Sequence, residues 1–286
     1  MPGAPPPPPG WSSESVPHAM GVGELIDMAF KIYQRNWKTL MLVVAVVEVP
    51  LQLLQAVVAS TSGVSERPFQ TTTINGHVFV SQPGLSSAAL TTSIVLALVQ
   101  FFFVAPLLAG AMAWVTYQLY AGKKPTAAEV LRFGLSRLLS ILLVSVLVGL
   151  AVFGGLLLLI VPGIIFAIRF TVAVPALVVE DVRGREAMRR SWRLVKDYSG
   201  RVFGISLLAA LIAGIVTGIF TAPFAITTIN SPGGFHFWTF FGGTVAAIVT
   251  RPFTALVTTL IYFDLRVRKE GFDLAVMAQR MGATAR

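Results

Sequence analysis

The sequence contains no cysteine and little charge. With no cysteine among its 286 residues, the chain has no disulfide bond, no thiolate metal site and no cysteine nucleophile. Charged residues make up 12% of the chain, compared with about 25% in soluble domains. Hydrophobic residues make up 55%, and the mean hydropathy is +0.76. Several segments must therefore be apolar on every side, which excludes a soluble enzyme and predicts a multi-pass membrane protein.

Six apolar stretches have about the length, roughly 20 residues, that crosses a bilayer. They predict an all-α membrane domain at 21–281. Its six transmembrane helices are predicted at residues 39–59, 88–118, 138–160, 163–180, 202–226 and 237–263. The third and fourth belong to one apolar run, in which Val161, Pro162 and Gly163 are expected to form the tight turn. The proline-rich residues 1–20 predict a disordered tail.

The basic residues are unevenly distributed along the chain. Of the 22 Lys and Arg residues, only Arg67 lies in a loop that six spans would place outside, while Arg169 and Arg251 lie within spans. Because Lys and Arg are retained on the cytoplasmic side, both termini are expected there, the second as a cytoplasmic segment at 264–286. The outer loop at 60–87 has two β-prone runs around Asn75-Gly76, which predict a small β-hairpin.

An amphipathic segment precedes each pair of spans, so the chain reads three times as surface helix, span in and span out. Thr126 and Glu129 have the spacing of a capping box at the start of the second segment. The second span of each unit has an interior proline, namely Pro106, Pro175 and Pro252. These features predict a pseudo-threefold repeat with three matched kinks.

Three ionisable residues fall well within the predicted spans: Glu48 in the first, Arg169 in the fourth and Arg251 in the sixth. Such groups normally face the bundle interior, paired or hydrated. A structural ion pair between Glu48 and Arg251 is one interpretation. A second is an anion site, because two arginines against one glutamate leave a surplus positive charge for a lipid phosphate. A third is a proton or ion pathway in which Glu48 titrates.

Small residues recur every four positions in the fifth span. They are Ser206, Ala210, Gly214, Gly218 and Ala222. This spacing lets another helix approach closely. Packing within the chain is the first interpretation, and a homodimer seam is the alternative.

Basic residues next to the spans are expected to face anionic lipid headgroups. They are Arg185, Arg189, Arg190, Arg193, Lys196, Arg266, Arg268 and Lys269. Beyond the sixth span, Asp264 is expected to pair with Arg268 and Arg266 with Glu270, and Gly271 is expected to end the helix. A cytoplasmic protein partner is the alternative ligand of this basic surface. The net charge of +9 is assigned to the membrane surface, so no nucleic acid is expected.

The sequence contains no motif of a hydrolase, metalloprotease, nucleotide-binding protein or dinucleotide-binding protein. His18, His77 and His236 are far apart in the chain and have no cysteine or carboxylate cluster beside them, so no metal or other cofactor is expected. We therefore expect no enzyme activity.

Three stretches carry a resemblance to a known family. They are GELIDMAFKIYQRNW at 23–37, PALVVED at 175–181 leading to Arg190-Ser191-Trp192, and YFDLRVRKEGFDL at 262–274. Together they resemble the membrane domain attached to some bacterial glycerophosphoryl diester phosphodiesterases and its stand-alone relatives. The resemblance covers about residues 20–280 and implies a six-helix bacterial membrane module. Since the catalytic barrel of those enzymes has no counterpart in this chain, the resemblance does not imply phosphodiesterase activity.

The expected function is that of a non-catalytic multi-pass protein of the bacterial cytoplasmic membrane that organises lipid or a protein partner. The expected partners are anionic membrane lipids, a second copy of the chain or a cytoplasmic protein. The alternative is a small transporter or lipid-handling permease that uses Glu48, Arg169 and Arg251. A permease needs a hydrated cavity that reaches these charges, whereas a dry, paired cluster favours the organising role.

Overall fold

A computed structural model describes residues 18–61, 70–74, 77–81, 87–120, 122–230 and 237–271. Six helical segments in this part of the chain are long and apolar enough to cross a membrane, which confirms the predicted six-span architecture. The helices are α1 (Val22–Thr61), α2 (Ser87–Val99), α3 (Ala105–Tyr120), α4 (Ala127–Ser136), α5 (Leu138–Leu158), α6 (Ile160–Phe170), α7 (Ala173–Glu180), α8 (Arg185–Val195), α9 (Ser199–Asn230) and α10 (Phe237–Glu270). A π-helical turn, Gln100–Val104, joins α2 to α3.

The order of surface helix and two spans occurs three times in the described chain. In the first unit, the surface helix and the span are merged into α1, with non-helical backbone at Asn36 marking their junction. In the second and third units, α4 precedes α5 and α8 precedes α9. The predicted capping box is present at α4, where Thr126 and Glu129 exchange hydrogen bonds between side chain and backbone.

The turn between the third and fourth spans lies before the predicted residues 161–163, at a residue two positions earlier than Val161. Leu159 is the extended residue that separates α5 from α6, and Pro162 and Gly163 lie in the first turn of α6. Proline fits there because the first N–H groups of a helix have no intrahelical acceptor. Gly163 allows the two helices to touch: a Cβ on Gly155 would lie 2.9 Å from Gly163 Cα.

The three interior prolines have three different local structures. Pro106 follows the π-helical turn, Pro175 follows a break at Thr171 and Val172, and Pro252 lies within the continuous helix α10. The expected set of three matched kinks was therefore wrong, because the neighbouring helices accommodate each proline in a different way.

The hydrophobic core surrounds the second half of α10. Leu256, Leu260, Tyr262, Phe263 and Leu265 are all fully buried there. The helix continues beyond the predicted sixth span, 237–263, to Glu270 and ends at Gly271, whose φ of +58° is one that glycine adopts without strain. The predicted end of this helix is confirmed.

Two segments outside the helices are also ordered. Strands β1 (Gln70–Ile74) and β2 (His77–Ser81) pair antiparallel at the place where the sequence predicted a hairpin. The prediction of a disordered tail at 1–20 was wrong for its last residue, because Met20 is only 1% exposed and packs in the core. Residues 1–17, the linking residues of the 60–87 loop and residues 272–286 lie outside the described part.

Candidate functional site

Glu48 and Arg251 form an ion pair inside the bundle, as one interpretation of the sequence predicted. Glu48 is fully buried, and the side chain of Arg251 is 34% exposed. The hydrogen-bond pattern favours Gln100 with its amide oxygen towards Arg251, which then donates to it at 2.9 Å from Nη2. Glu48 Oε2 has no hydrogen-bond partner among the described residues.

Arg169 does not join this pair, so the predicted cluster of three charges was wrong. Its guanidinium lies 4.8 Å from the ring centre of Trp192 on α8, a cation–π contact. Its Nε and Nη1 are buried and have no hydrogen-bond partner within the described ranges. The helix break at Thr171 and the packing of α8 on α6 direct Arg169 to this position, and the sequence alone contains no signal for that direction.

A groove of about 390 Å³ runs beside Arg251 between α3, α7 and α10. Alanines and threonines line most of it, and the hydroxyls of Thr254, Thr258 and Thr259 donate to carbonyls of their own helix. These hydroxyls can therefore only accept hydrogen bonds from a ligand. Arg251 is the one cation in the lining.

A network of buried charges ties α7, α8 and α10 together. Arg190 of α8 donates to both oxygens of Glu180, at 2.8 and 2.7 Å, and also to Glu270. Tyr262 donates to Glu180 at 2.7 Å, and Arg266 lies 3.2 Å from Glu270. The predicted pairing of Arg266 with Glu270 is thus confirmed, but it is one part of a larger group.

A second network holds the backbone before α1. Asp264 is 1% exposed and accepts from Met20 N at 2.9 Å, from Arg201 Nε at 3.0 Å and from Arg268 Nε at 3.0 Å. Arg201 and Arg268 also donate to the carbonyl of Met20. Both backbone groups of Met20 are therefore satisfied by side chains of α9 and α10, which confirms the Asp264–Arg268 pair and explains why Met20 is ordered.

These networks correct the prediction for four of the residues that were expected to face headgroups. Arg190 and Arg266 are 12% and 3% exposed, and Arg268 and Lys269 are also engaged in ion pairs. Lys269 contacts Asp197 at 2.6 Å. Because carboxylates of the protein face these four cations, the cations stabilise the bundle. The other four predicted residues are exposed: Arg185, Arg189, Arg193 and Lys196.

An open pocket of about 650 Å³, which we call the α8 pocket, lies on the exposed side of α8. Its lining consists of Arg183, Arg185, Glu186, Arg189, Trp192 and Arg193. None of these four arginines forms an ion pair with another described residue. Four arginines against one glutamate give the lining a net charge of +3.

Trp192, which lines the α8 pocket, and the two rings of α6 that it packs against form what we call the aromatic floor of the pocket. Trp192 packs against Phe166 and Phe170 of α6, with ring centres 6.1 and 5.6 Å apart. The same helix exposes Ile164 and Ile165, which lie within a membrane-spanning segment. The pocket thus joins a cationic surface to an apolar one, the arrangement that suits a lipid headgroup and its chains.

Charge pairs at the edges of α8 remain ionised over a wide pH range. A hydrogen bond from Arg137 lowers the pKa of Asp181, and one from Lys269 lowers the pKa of Asp197. Burial acts to lower the pKa of Arg190, but hydrogen bonds to Glu270 and Glu180 outweigh it and raise that pKa. Arg190 therefore stays charged where it contacts Glu180 and Glu270.

The stripe of small residues on α9 does not pack against another described helix. Ala210, Gly214, Gly218 and Ala222 are exposed, and a Cβ on Gly214 or Gly218 would meet no described atom within 4 Å. The interpretation that Ser206 and these four residues pack within the chain was therefore wrong. The reason is that α9 meets α10 through its opposite side, where Val202, Ile205 and Ala209 are buried. A homodimer seam stays a prediction.

Sequence reasoning missed Glu180, Arg201 and Met20 as parts of the buried networks. The available signal was the pair of acids at 180 and 181 immediately after an apolar span, opposite a surface helix rich in arginine. Met20 gave no signal, because its role depends on backbone groups that any residue carries.

The fold and these sites define a six-helix integral membrane protein with a cationic pocket on a surface helix. No family model, no curated protein and no solved structure matches the chain. The class is therefore assigned from the helices and the charges themselves.

Proposed function

We propose that this protein is a non-catalytic organiser of anionic phospholipid in the bacterial cytoplasmic membrane, with the α8 pocket on the cytoplasmic side. The supporting observation is the set of four arginines in that pocket, which lack acidic partners among the described residues and lie above an aromatic floor. A cation near an anionic bilayer surface contributes about 1 kcal/mol to binding. The proposed ligand is a phosphate-bearing lipid whose chains lie along α6.

The inner side of α8 supports this role. Arg190 holds the helix to Glu180 and Glu270, so the outer arginines project from a fixed support. A ligand that binds to a preordered surface loses less conformational entropy than one that must order it. No catalytic step is required, and the proposed partners are membrane lipids rather than nucleic acid.

The resemblance to the phosphodiesterase membrane domain belongs to this proposal. We propose that the described helices form a bacterial relative of that membrane module and do not themselves carry phosphodiesterase activity. The six apolar helices and the extended α10, which contains most of the YFDLRVRKEGFDL stretch, support this assignment.

The test is to identify the lipids that stay bound to the purified protein. The full-length protein is extracted in native-lipid particles, and its lipids are quantified by mass spectrometry. We expect the variant R189Q/R193Q to lose anionic lipid. The control is Arg132→Gln, which removes an exposed charge on α4 outside the pocket.

Unchanged anionic lipid in R189Q/R193Q would contradict the proposal. If that variant instead lost a copurifying protein while its lipid stayed constant, a cytoplasmic protein partner would become the better assignment. The R132Q control shows whether removal of an exposed positive charge outside the pocket also releases lipid.

A lipid-handling permease is the second candidate, and the groove beside Arg251 favours it. Interrupted helices often form substrate sites near the middle of transporters, and the break before Pro175 borders this groove. In this version Arg251 and Glu48 would carry the function without Arg169. Loss of lipid transfer between leaflets of vesicles in R251Q, with lipid binding at α8 unchanged, would support it.

A further inference from the structure

We infer that the ligand of the α8 pocket carries two phosphate groups on one headgroup. This inference rests on the proposed function and specifies the lipid class: two phosphatidyl groups joined by one polar bridge. Basic pockets between membrane helices are known to accept headgroups of this charge.

The charge of the pocket exceeds that of a lipid with one phosphate. The lining has a net charge of +3, and the carboxylate of nearby Asp181 is already paired with Arg137. One phosphodiester brings a single negative charge and leaves most of this excess in place. A lipid with two phosphates neutralises more of this positive charge, and it does so without requiring two separate lipids to bind at one site.

The four arginines form two groups along α8. Arg185 is the first residue of the helix and Arg183 precedes it by two residues, whereas Arg189 and Arg193 lie one and two turns further on. Arg185 and Arg193 are eight residues apart, which corresponds to about 12 Å along a helix axis. Because a guanidinium binds phosphate through short bidentate hydrogen bonds, one phosphate per group fits this spacing better than one phosphate for all four.

The first group coincides with the uncapped beginning of α8. Gly184 is the N-cap and has a φ of +54°, so a side chain there would be strained and would also contact Leu143. As the N-cap, Gly184 has no side chain with which to cap the first N–H groups of this helix. The N–H of Glu186 donates to the carbonyl of Arg183 at 3.1 Å, and the Glu186 carboxylate is already counted in the net charge of +3. The remaining N–H groups lie at the helix end that Arg183 and Arg185 flank, which favours an anion there.

The second group lies near Arg169. The Arg169 guanidinium stacks on Trp192, and its buried Nε and Nη1 have no hydrogen-bond partner in the described chain. Arg169 is not part of the pocket lining, but its contact with Trp192 adds a further positive charge behind this part of the pocket. The second phosphate is assigned to this end of the pocket, next to the aromatic floor.

The apolar floor identifies a lipid as the source of the phosphates. Trp192, Phe166 and Phe170 connect the arginines to the exposed apolar side of α6. A free diphosphate would gain no binding free energy from this apolar surface. The acyl chains of a lipid would cover the surface and exclude water from it at the membrane boundary.

The experiment compares two lipids and one soluble anion. The full-length protein in detergent is titrated with diphosphatidylglycerol, with phosphatidylglycerol at equal total phosphate, and with inorganic pyrophosphate, and bound species are counted by native mass spectrometry. We expect diphosphatidylglycerol to bind about five- to tenfold more tightly than phosphatidylglycerol, since the second phosphate engages at least one more cation.

Two double variants separate the two halves of the pocket. R183Q/R185Q and R189Q/R193Q should each remove the preference for diphosphatidylglycerol and keep residual phosphatidylglycerol binding, while Arg132→Gln keeps the preference. Circular dichroism of each variant in detergent verifies that it is folded.

Equal affinities for the two lipids in the unmodified protein would overturn the inference, although the proposed function would stand if both double variants bound less lipid. Displacement of bound lipid by pyrophosphate at equal concentration would overturn the assignment to a lipid. If no double variant changed the binding of either lipid, the proposed function and the inference would both fail.

Discussion

Two adjacent arginines of α8 have opposite surroundings. Arg190 is 12% exposed and bonded to two carboxylates, whereas Arg189 is exposed and lines the α8 pocket. Arg190→Gln leaves Glu180 and Glu270 short of a buried partner, and we expect a loss of about 3–5 kcal/mol in the free energy of unfolding. Arg189→Gln should change it by less than about 0.5 kcal/mol.

The measurement is reversible unfolding in mixed detergent micelles followed by circular dichroism. Lipid binding provides the converse readout, because R189Q should weaken it while leaving the unfolding midpoint unchanged. Equal stabilities of R189Q and R190Q would show that Arg190 does not anchor α8.

The Glu48–Arg251 pair gives a second residue-scale prediction. Arg251→Met leaves the fully buried Glu48 without its cation, and a charge without a partner inside a membrane protein is costly. The double variant E48L/R251M removes both charges, so we expect it to be more stable than R251M alone by about 1–3 kcal/mol. A double-mutant cycle on unfolding free energies measures this coupling, and a coupling near zero would show that the pair is energetically irrelevant.

At this scale the sequence predicted the Glu48–Arg251 pair but not the position of Arg169. Charged residues are rare in apolar spans and are therefore easy to identify in the sequence. The position of each along its span gives its approximate depth in the membrane. The direction in which a side chain points around the helix axis cannot be predicted across a helix break. Such a break begins at Thr171, two residues after Arg169. In the same way, i,i+4 spacing predicted Arg266 with Glu270, while Glu180 and Arg190 come from other helices and have no local signal.

Among the helices, the contact between α5 and α6 depends on two glycines. A Cβ on Gly155 would lie 2.9 Å from the backbone of Gly163, which cannot rotate away as a side chain could. We expect Gly155→Ala to lower stability by about 1–3 kcal/mol, the usual effect of overpacking.

The adjacent Gly154 is the matched control, since a Cβ there would meet no described atom within 4 Å. Gly154→Ala should be neutral or slightly stabilising, because alanine has a higher helix propensity than glycine. Thermal unfolding in detergent compares the two variants. If both had the same midpoint, the close approach of α5 and α6 would not contribute to stability.

The element scale also shows why the small-residue pattern of α9 misled the sequence interpretation. Gly214 and Gly218 have the spacing of a helix-packing motif, yet close approaches to backbone atoms occur at Gly155, Gly163 and Gly242. A repeated motif indicates that a helix surface is smooth, but only the tertiary arrangement determines which surface is covered. The number and approximate positions of the six spans were predictable because they follow from hydrophobic length alone.

At the scale of the whole molecule, the buried networks and the α8 pocket lie at the same end of the bundle. Arg190 connects them directly, because it belongs to α8 and pairs with Glu270 at the end of α10. The uneven distribution of basic residues predicts that this end faces the cytoplasm. That orientation brings the arginines of the pocket to the leaflet surface where anionic lipids attract basic residues.

The absence of cysteine in the chain makes this orientation directly measurable. Single cysteines are introduced as Thr72→Cys in strand β1, Ser136→Cys at the end of α4 and Gly200→Cys at the beginning of α9. Ser136 and Gly200 are exposed, so both positions are accessible to a reagent. A membrane-impermeant maleimide should label T72C in intact cells, and S136C and G200C only after the membrane is permeabilised. The opposite labelling pattern would place the α8 pocket outside the cell and remove the cytoplasmic leaflet as its source of lipid.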